Sequence, residues 1–107
     1  MNYKVQITTE AENDLRGIFE YISSDLQSVQ NAVEQLNRLE HGIASLEQMP
    51  ERFRTYGKEP WNSRNLRIMP VDNYLVFYVP NHKKQTVTVM RVMYGGRDID
   101  RQLNPLL

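Results

Sequence analysis

The 107-residue sequence contains no cysteine, only two histidines and a single tryptophan. Without cysteine the chain cannot form a disulfide framework, a zinc–thiolate site or a thiol nucleophile, and it does not depend on an oxidising compartment. The histidines, His41 and His82, lie far apart in the sequence, and neither a His-x-x-x-His pattern nor a cluster of carboxylates accompanies them. We therefore predict no metal site, and we expect no cofactor.

Long apolar runs are also missing. No window approaches the roughly 18 apolar residues that a membrane span needs. The first residues, MNYKVQITTEAEND, lack a positively charged segment followed by an apolar run. We therefore expect a cytoplasmic protein that is neither exported nor inserted into a membrane. A length of 107 residues with 40% hydrophobic content predicts one domain, over 1–107, that can bury a single core.

The chain as a whole has no excess of charge, because 13 basic residues balance 13 acidic ones. The two halves nevertheless differ. Residues 1–50 carry three basic and eight acidic side chains, a net charge of −5, whereas residues 51–107 carry ten basic and five acidic ones, a net charge of +5. This balance argues against a nucleic-acid footprint over the whole surface. The second half remains a candidate surface for an anionic partner.

Apolar spacing predicts a two-helix hairpin after a short N-terminal strand. Alternation in YKVQI indicates a half-buried strand. A stripe of helical period follows over residues 9–24, opened by a threonine cap and by acids in its first turn. After the polar break SSDLQS, the same period runs from Val29 to Met49, where Pro50 is expected to end the second helix.

Three strands are predicted in the second half, after a long loop marked by Gly57, Pro60 and Asn62. They are NLRIM, YLVFYV and TVTVMRVMY, and the turn PNHKKQ joins the last two. The order β-α-α-β-β-β predicts an α+β fold, in which the helical hairpin packs on one face of a small antiparallel sheet. The basic residues would then lie on the sheet, its loops and its rim.

The last predicted strand leads into MYGGRD, which has two interpretations. Gly95 and Gly96 could turn consecutive amides toward an anion, beside the planar, permanently charged guanidinium of Arg97. Alternatively, the glycines only end the strand, and Arg97 pairs with Asp98 or Asp100.

Two further side chains leave alternatives open. Strict alternation places Arg91 on the same strand face as Val87, Val89 and Met93, where it either has a function or lies flat with its charge in solvent. Trp61 lies in a basic stretch and could stack on a base, or it could close a loop onto the core. The pair Lys83–Lys84 is most simply a solvated hairpin tip.

A helical hairpin followed by NYLVFY and RVMYGGRD at this spacing resembles the RelE/ParE superfamily of type II toxin–antitoxin toxins, and more closely its ParE branch. The resemblance covers nearly the whole chain in order and length. It implies a RelE/ParE-like fold, a growth-inhibiting role of the plasmid-stabilisation kind, and a small cognate antitoxin whose C-terminal segment wraps over the toxin. It is also compatible with a homodimer or with a heterotetramer that includes the antitoxin.

The resemblance leaves two targets open. RelE-like members cut messenger RNA in the ribosomal A site, and ParE-like members poison DNA gyrase. RelE-like enzymes usually carry an arginine after the tyrosine of the strand that NYLVFYV resembles, but here Leu75 follows Tyr74, and the tail IDRQLNPLL offers neither tyrosine nor histidine. Because arginine transfers no proton at neutral pH, we favour a ParE-like gyrase inhibitor without enzymatic activity. The alternatives are a RelE-like mRNA endonuclease and a degenerate member that only binds its antitoxin.

The resemblance also suggests site residues. Arg97 occupies the position of the arginine that contacts the scissile phosphate in RelE-like toxins, and Arg67 lies close to the basic strand residues of that group. In the nuclease alternative, Arg97, Arg67 and Tyr94 would be catalytic, with His82 as a further candidate. The predicted target-binding residues are Arg64, Arg67, Arg91, Arg97 and Arg101. The predicted antitoxin-binding residues are Arg67 and Arg97 on a basic sheet rim, with Leu36 and Ile43 in an apolar groove beside the helical hairpin.

Overall fold

The computed structural model describes residues 2–96 and 99–106. Its main elements in chain order are β1 (Lys4–Ile7), α1 (Thr9–Glu20), α2 (Val29–Ala44), β2 (Arg67–Val71), β3 (Tyr74–Asn81), β4 (Thr86–Tyr94) and α3 (Ile99–Leu103). The α+β class and the order β-α-α-β-β-β are therefore confirmed. None of the helices in this part of the chain has the length and apolar character needed to cross a membrane.

The four strands form one sheet in the order β1-β4-β3-β2. Strands β2, β3 and β4 are antiparallel neighbours, as predicted, but β1 lies parallel to β4. The sheet is thus mixed, which corrects the prediction of an antiparallel sheet in this one pairing. A parallel pair requires a long crossover connection, and the two helices provide it by carrying the chain over one face of the sheet.

Both long helices end before the predicted residues. A π-helical turn, Tyr21–Asp25, continues α1, and α2 ends at Ala44 in a 3-10 turn. Pro50 does not stop a helix but begins the 3-10 turn Pro50–Arg52, where its missing N–H is not needed. Arg52 donates hydrogen bonds to the carbonyls of Ser45 and Gln48, so its guanidinium satisfies acceptors left open at the end of the helical segment.

The main core lies between the helices and one face of the sheet. Its fully buried side chains are Ala11, Leu39, Leu46, Val76, Tyr78, Val87 and Val89. Tyr78 also donates a hydrogen bond from its hydroxyl to the Pro50 carbonyl at 2.5 Å. This contact ties the segment after α2 to the centre of the sheet.

A second core covers the opposite face of the sheet. It consists of Trp61, Leu66, Ile68, Phe77, Met93 and Leu103, contributed by the α2–β2 loop, the strands and α3. Trp61 is only 7% exposed, so the prediction that it closes the loop onto the core is confirmed. This face is therefore not a free surface for the basic residues of the second half, contrary to what a two-layer arrangement suggests.

A β-bulge in β4 decides which side chains enter each core. Phe77 lies opposite Arg91 and Tyr78 opposite Val89, so Met90 is the extra residue. Beyond the bulge the alternation is reversed, and Val92 joins the main core while Met93 enters the second one. The prediction from strict alternation, that Arg91 shares a face with Val87 and Val89, is therefore wrong.

Side chains from α1 close the edge of β4 beyond the end of β1. Thr8 donates from Oγ1 to the Met90 carbonyl at 2.9 Å, and Asp14 accepts a 2.9 Å hydrogen bond from the Val92 amide. Asp14 also accepts from Nε and Nη2 of Arg91, at 2.7 and 2.9 Å. Both charged side chains are mostly buried, with exposed fractions of 16% and 17%. The Asp14 hydrogen bonds raise the pKa of Arg91 above its ordinary value.

We expect Asp14→Asn to lower the free energy of unfolding by about 2 kcal/mol, because it leaves a partly buried guanidinium without its counter-charge. Urea denaturation measures the change. Asp72→Asn is the matched control, since Asp72 pairs with Arg38 at the surface and exposed ion pairs contribute little. Equal losses in the two variants would show that Asp14 has no special role.

Because Tyr78 is buried, we expect the free energy of unfolding of the protein to fall at alkaline pH. Burial raises the pKa of Tyr78 from the ordinary 10.0 to about 12, so its stabilising effect is complete below pH 10 and is lost as the pH rises from 10 to 12. The loss corresponds to about 2 to 3 kcal/mol. Tyr78→Phe should cost about 1 kcal/mol at neutral pH through the lost hydrogen bond to Pro50, and should flatten the alkaline decline of the unfolding free energy. Tyr94→Phe, at a residue that is 49% exposed, should keep the decline of the wild type.

Candidate functional site

A cleft of about 730 Å³ opens between the two long helices and the end of the sheet where β3 begins and β4 ends. The α1 side contributes Asn13, Asp14, Gly17, Ile18, Tyr21, Ile22 and Leu26, the α2 side Asn31, Glu34, Gln35 and Arg38, and the sheet side Asn73, Tyr74, Arg91, Val92, Met93, Tyr94 and Gln102. The cleft thus joins the acidic helical half of the chain to the basic strand half.

Three large side chains expose apolar surface in the cleft. Tyr21, Leu26 and Tyr94 are exposed by 52%, 57% and 49%. Tyr21 and Leu26 flank the π-helical turn, where the chain leaves the helical period that buries Ile22. Such a group of exposed apolar side chains, with polar residues around it, is typical of a surface that binds another protein.

One wall of the cleft is held by a hydrogen-bonded network at the β2–β3 turn. Asp72 accepts from Arg38 Nε at 2.7 Å and from Gln35 Nε2 at 3.0 Å. These two contacts, that with Arg38 first, lower the pKa of Asp72 below its ordinary value. Asp72 has a positive φ of 54°, a conformation that Asp and Asn adopt more readily than most residues. The network connects α2 to the turn and fixes this wall.

The end of β4 explains the double glycine of MYGGRD. Tyr94 packs edge-on against Tyr74, with 6.0 Å between ring centroids. A Cβ on Gly96 would lie 2.8 Å from Cε2 of Tyr94, so a larger residue at this position would require the ring to move. The amide of Gly95 donates to the Asn73 carbonyl at 2.9 Å, and no glycine in the described residues has a positive φ. The interpretation of the glycines as an anion cradle is therefore not supported at Gly95, whose amide is already used.

Arg67 lies at the far side of the sheet from Arg91, in the edge strand β2. Its guanidinium donates to the carbonyls of Phe53 and Glu51, at 2.6 and 3.0 Å, and to Asn65 Oδ1 at 3.1 Å. The side chain is 16% exposed. These contacts hold the α2–β2 loop against the strand, and a role of Arg67 in binding a target or an antitoxin stays a prediction.

The other predicted arginines that the structure describes make separate contacts. Arg91 is bound to Asp14 and, through Nη1, to the Gln102 carbonyl at 3.2 Å. Arg64 lies over the Trp61 ring, 5.5 Å from its centroid, and Arg101 is exposed on α3. Arg97 lies outside the described residues. The structure thus engages Arg64, Arg67 and Arg91 within the protein and brings no two of them together.

Leu36 and Ile43 lie on the core-facing side of α2, and their predicted role in binding an antitoxin stays a prediction. Ile43 is 4% exposed, and Leu36 packs against the main core. The apolar stripe that suggested them is the face that holds the helix on the sheet. The apolar side chains that do reach the surface of the cleft, Tyr21 and Leu26, lie where the helical period breaks.

The candidates for acid–base chemistry are not brought together either. His82 lies in the β3–β4 turn, at the opposite end of β4 from Tyr94, and no histidine is among the described residues that line the cleft. The two carboxylates in the cleft are Asp14, which is bound to Arg91, and Glu34, which accepts a hydrogen bond from Gln30. No hydrogen bond between Tyr94 and either carboxylate is seen within this part of the chain.

Comparison with known proteins gives this architecture a family context. Residues 5–99 match the family model described as the ParE toxin of the type II toxin–antitoxin system parDE. No curated protein sequence gives a significant match to the chain.

Solved structures of toxin–antitoxin systems share the fold. The chromosomal ParDE system from P. aeruginosa is 14% identical with a TM-score of 0.70, over 86% of this chain and 95% of that chain. The RelBE2 complex from Mycobacterium tuberculosis is 20% identical with a TM-score of 0.61, over 88% and 99%. The archaeal RelE–RelB complex from Pyrococcus horikoshii OT3 is 18% identical with a TM-score of 0.58, over 91% and 99%. At these identities the likeness shows the fold alone.

Proposed function

Because the chain belongs to the ParE toxin family of type II toxin–antitoxin systems, we propose that it inhibits DNA gyrase by direct binding. Membership of the RelE/ParE superfamily makes it the toxin of such a module, with a cognate antitoxin as partner. The choice of gyrase over the ribosome rests on the chemistry available at the cleft and not on the fold, which both branches share. We also propose that the protein is cytoplasmic.

The observation that carries the proposal is the lack of a proton-transfer pair in the described part of the cleft. Cleavage of RNA next to a 2′-hydroxyl requires one group to accept a proton and another to donate one. No histidine lines this part of the cleft, Asp14 is bound to Arg91, and Glu34 accepts a hydrogen bond from Gln30. A protein-binding surface needs no such groups. The exposed apolar side chains of the cleft are consistent with binding of another protein.

We assign the cleft to the antitoxin. An amphipathic antitoxin segment would place apolar side chains against Tyr21, Leu26 and Tyr94 and polar ones against Arg38 and Glu34. Tyr21, Leu26 and Tyr94 are preferred to Leu36 and Ile43 as contact residues, because Ile43 is buried and Leu36 is partly buried against the core. The assignment keeps the predicted location beside the helical hairpin.

Leu26→Asp should weaken the complex with the antitoxin encoded beside this chain by about ten- to a hundredfold, since burial of a leucine contributes about 1.5 to 3 kcal/mol. Val33→Asp is the matched control, because Val33 is also exposed on the hairpin, by 42%, but does not line the cleft. Surface plasmon resonance measures both affinities. Equal effects of the two substitutions would remove the cleft from the interface.

In cells, wild-type toxin expressed alone should slow growth, and the antitoxin should relieve this. Normal growth at verified soluble expression would contradict the role as a toxin.

Gyrase and ribosome are separated by two parallel assays on the purified chain. We expect inhibition of gyrase supercoiling, or trapping of cleaved DNA, with translated messenger RNA left intact in primer extension. Arg97→Ala should weaken gyrase inhibition by about ten- to a hundredfold, the cost of a charge-assisted contact of about 1.5 to 3 kcal/mol. Arg16→Ala, at an exposed residue of α1, is the control and should change nothing.

Codon-register cleavage without gyrase inhibition would overturn the proposal in favour of a RelE-like endonuclease, with Arg97 as a phosphate-stabilising residue and Tyr94 as a catalytic candidate. A chain that binds its antitoxin and is inactive in both assays would be a degenerate member of the family.

A further inference from the structure

The end of the sheet opposite the cleft carries three exposed lysines. Lys83 and Lys84 form the turn between β3 and β4, and Lys4 lies beside them because β1 pairs with β4 in parallel register, Lys4 opposite Thr86. The Lys4 amide donates to the Gln85 carbonyl at 2.9 Å. The pairing of β1 therefore brings together lysines that are far apart in the sequence. We name Lys4, Lys83 and Lys84 the basic corner.

A chain of side-chain contacts braces this corner. Tyr3 Oη and His82 Nδ1 share a hydrogen bond of 2.5 Å, and the other ring nitrogen of His82 contacts the Glu51 carboxylate. Within the turn, Asn81 Oδ1 accepts from the Lys84 amide at 3.1 Å. The turn is thus tied to β1 and to the segment after α2, so the lysines extend from a fixed backbone.

The basic corner also differs in its pairing from three of the arginines. Arg38, Arg67 and Arg91 are bound to carboxylates. The three lysines form no hydrogen bond or ion pair through their side chains in residues 2–96 and 99–106. The carboxylate of Glu51, which contacts His82 beside the basic corner, is also paired with Arg67.

We propose that the basic corner binds the phosphate backbone of duplex DNA. Lysine ammonium groups act as point charges toward phosphates and read no base edges, so binding would be independent of sequence. Recognition of single strands relies on aromatic platforms for stacked bases. The two rings at the corner, Tyr3 and His82, are instead in contact with each other, edge-on at 5.8 Å. Phosphate binding at this corner does not depend on gyrase being the target, and the cleft at the other end of the sheet would stay free.

The test is fluorescence anisotropy of a short labelled DNA duplex with the purified chain, at salt concentrations from about 50 to 200 mM. Lys83→Gln/Lys84→Gln should weaken binding and reduce the slope of log affinity against log salt by about 2, the loss expected for two phosphate contacts. Arg16→Gln/Arg54→Gln is the matched control, since it removes the same charge from two exposed positions elsewhere, and it should leave the slope unchanged. All four side chains are exposed, so both variants should fold.

Equal effects of the two double variants would mean that only total charge matters, and would overturn the proposal. Absence of duplex binding at about 50 mM salt would do the same, as would tighter binding of single-stranded RNA than of the duplex. Because no gyrase is present, a negative result here leaves the supercoiling assay unaffected, and failure of gyrase inhibition leaves this test standing.

Discussion

The carboxylate of Asp14 is the contact on which the arrangement of this protein most depends. It accepts the Val92 amide at the edge of β4 and pairs with Arg91 through two further hydrogen bonds. Because Arg91 also reaches the Gln102 carbonyl, one ion pair joins α1, β4 and the end of α3. The cleft lies directly over this junction, with Asp14, Arg91 and Gln102 among its lining residues. The geometry of the binding surface and the closure of the sheet edge therefore have the same origin.

Much of the fold could be predicted from the sequence, because helical and strand periods are local properties. The strand TVTVMRVMY coincides with β4, and the helical stripe gives the start of α2 correctly. The parallel pairing of β1 could not be predicted, because the alternation in YKVQI does not indicate which strand β1 pairs with or in which direction. The bulge at Met90 was equally hidden, because it changes the pattern by one residue within a run in which both faces are apolar.

The candidate site is harder to predict from the sequence than the fold, for a physical reason. Leu36 and Ile43 are apolar at helical spacing, which marks the core face of a helix and not a groove. Tyr21 and Leu26 could have been found from the break in that spacing around YISSDLQS, where apolar residues outside the stripe must face solvent or a partner. The charge of Arg67 predicts an exposed binding residue, whereas its guanidinium is bound by backbone carbonyls of the α2–β2 loop. No pattern in the sequence indicates that Asp14 binds Arg91 and the Val92 amide.

The closed edges of the sheet restrict how any peptide can attach to it. At β4, the groups beyond β1 are taken by Thr8 and Asp14. At β2, the Ile68 amide points away from the sheet and donates to the Arg54 carbonyl. The next residue of β2 whose backbone nitrogen points outward is Pro70, which has no N–H to donate. Within the described residues this leaves only the outer side of β1, a strand of four residues. Strand addition, a common way for peptides to bind sheets and for sheets to aggregate, is therefore largely blocked. A partner must be recognised through side chains, so its sequence, and not merely its extended backbone, decides whether it binds.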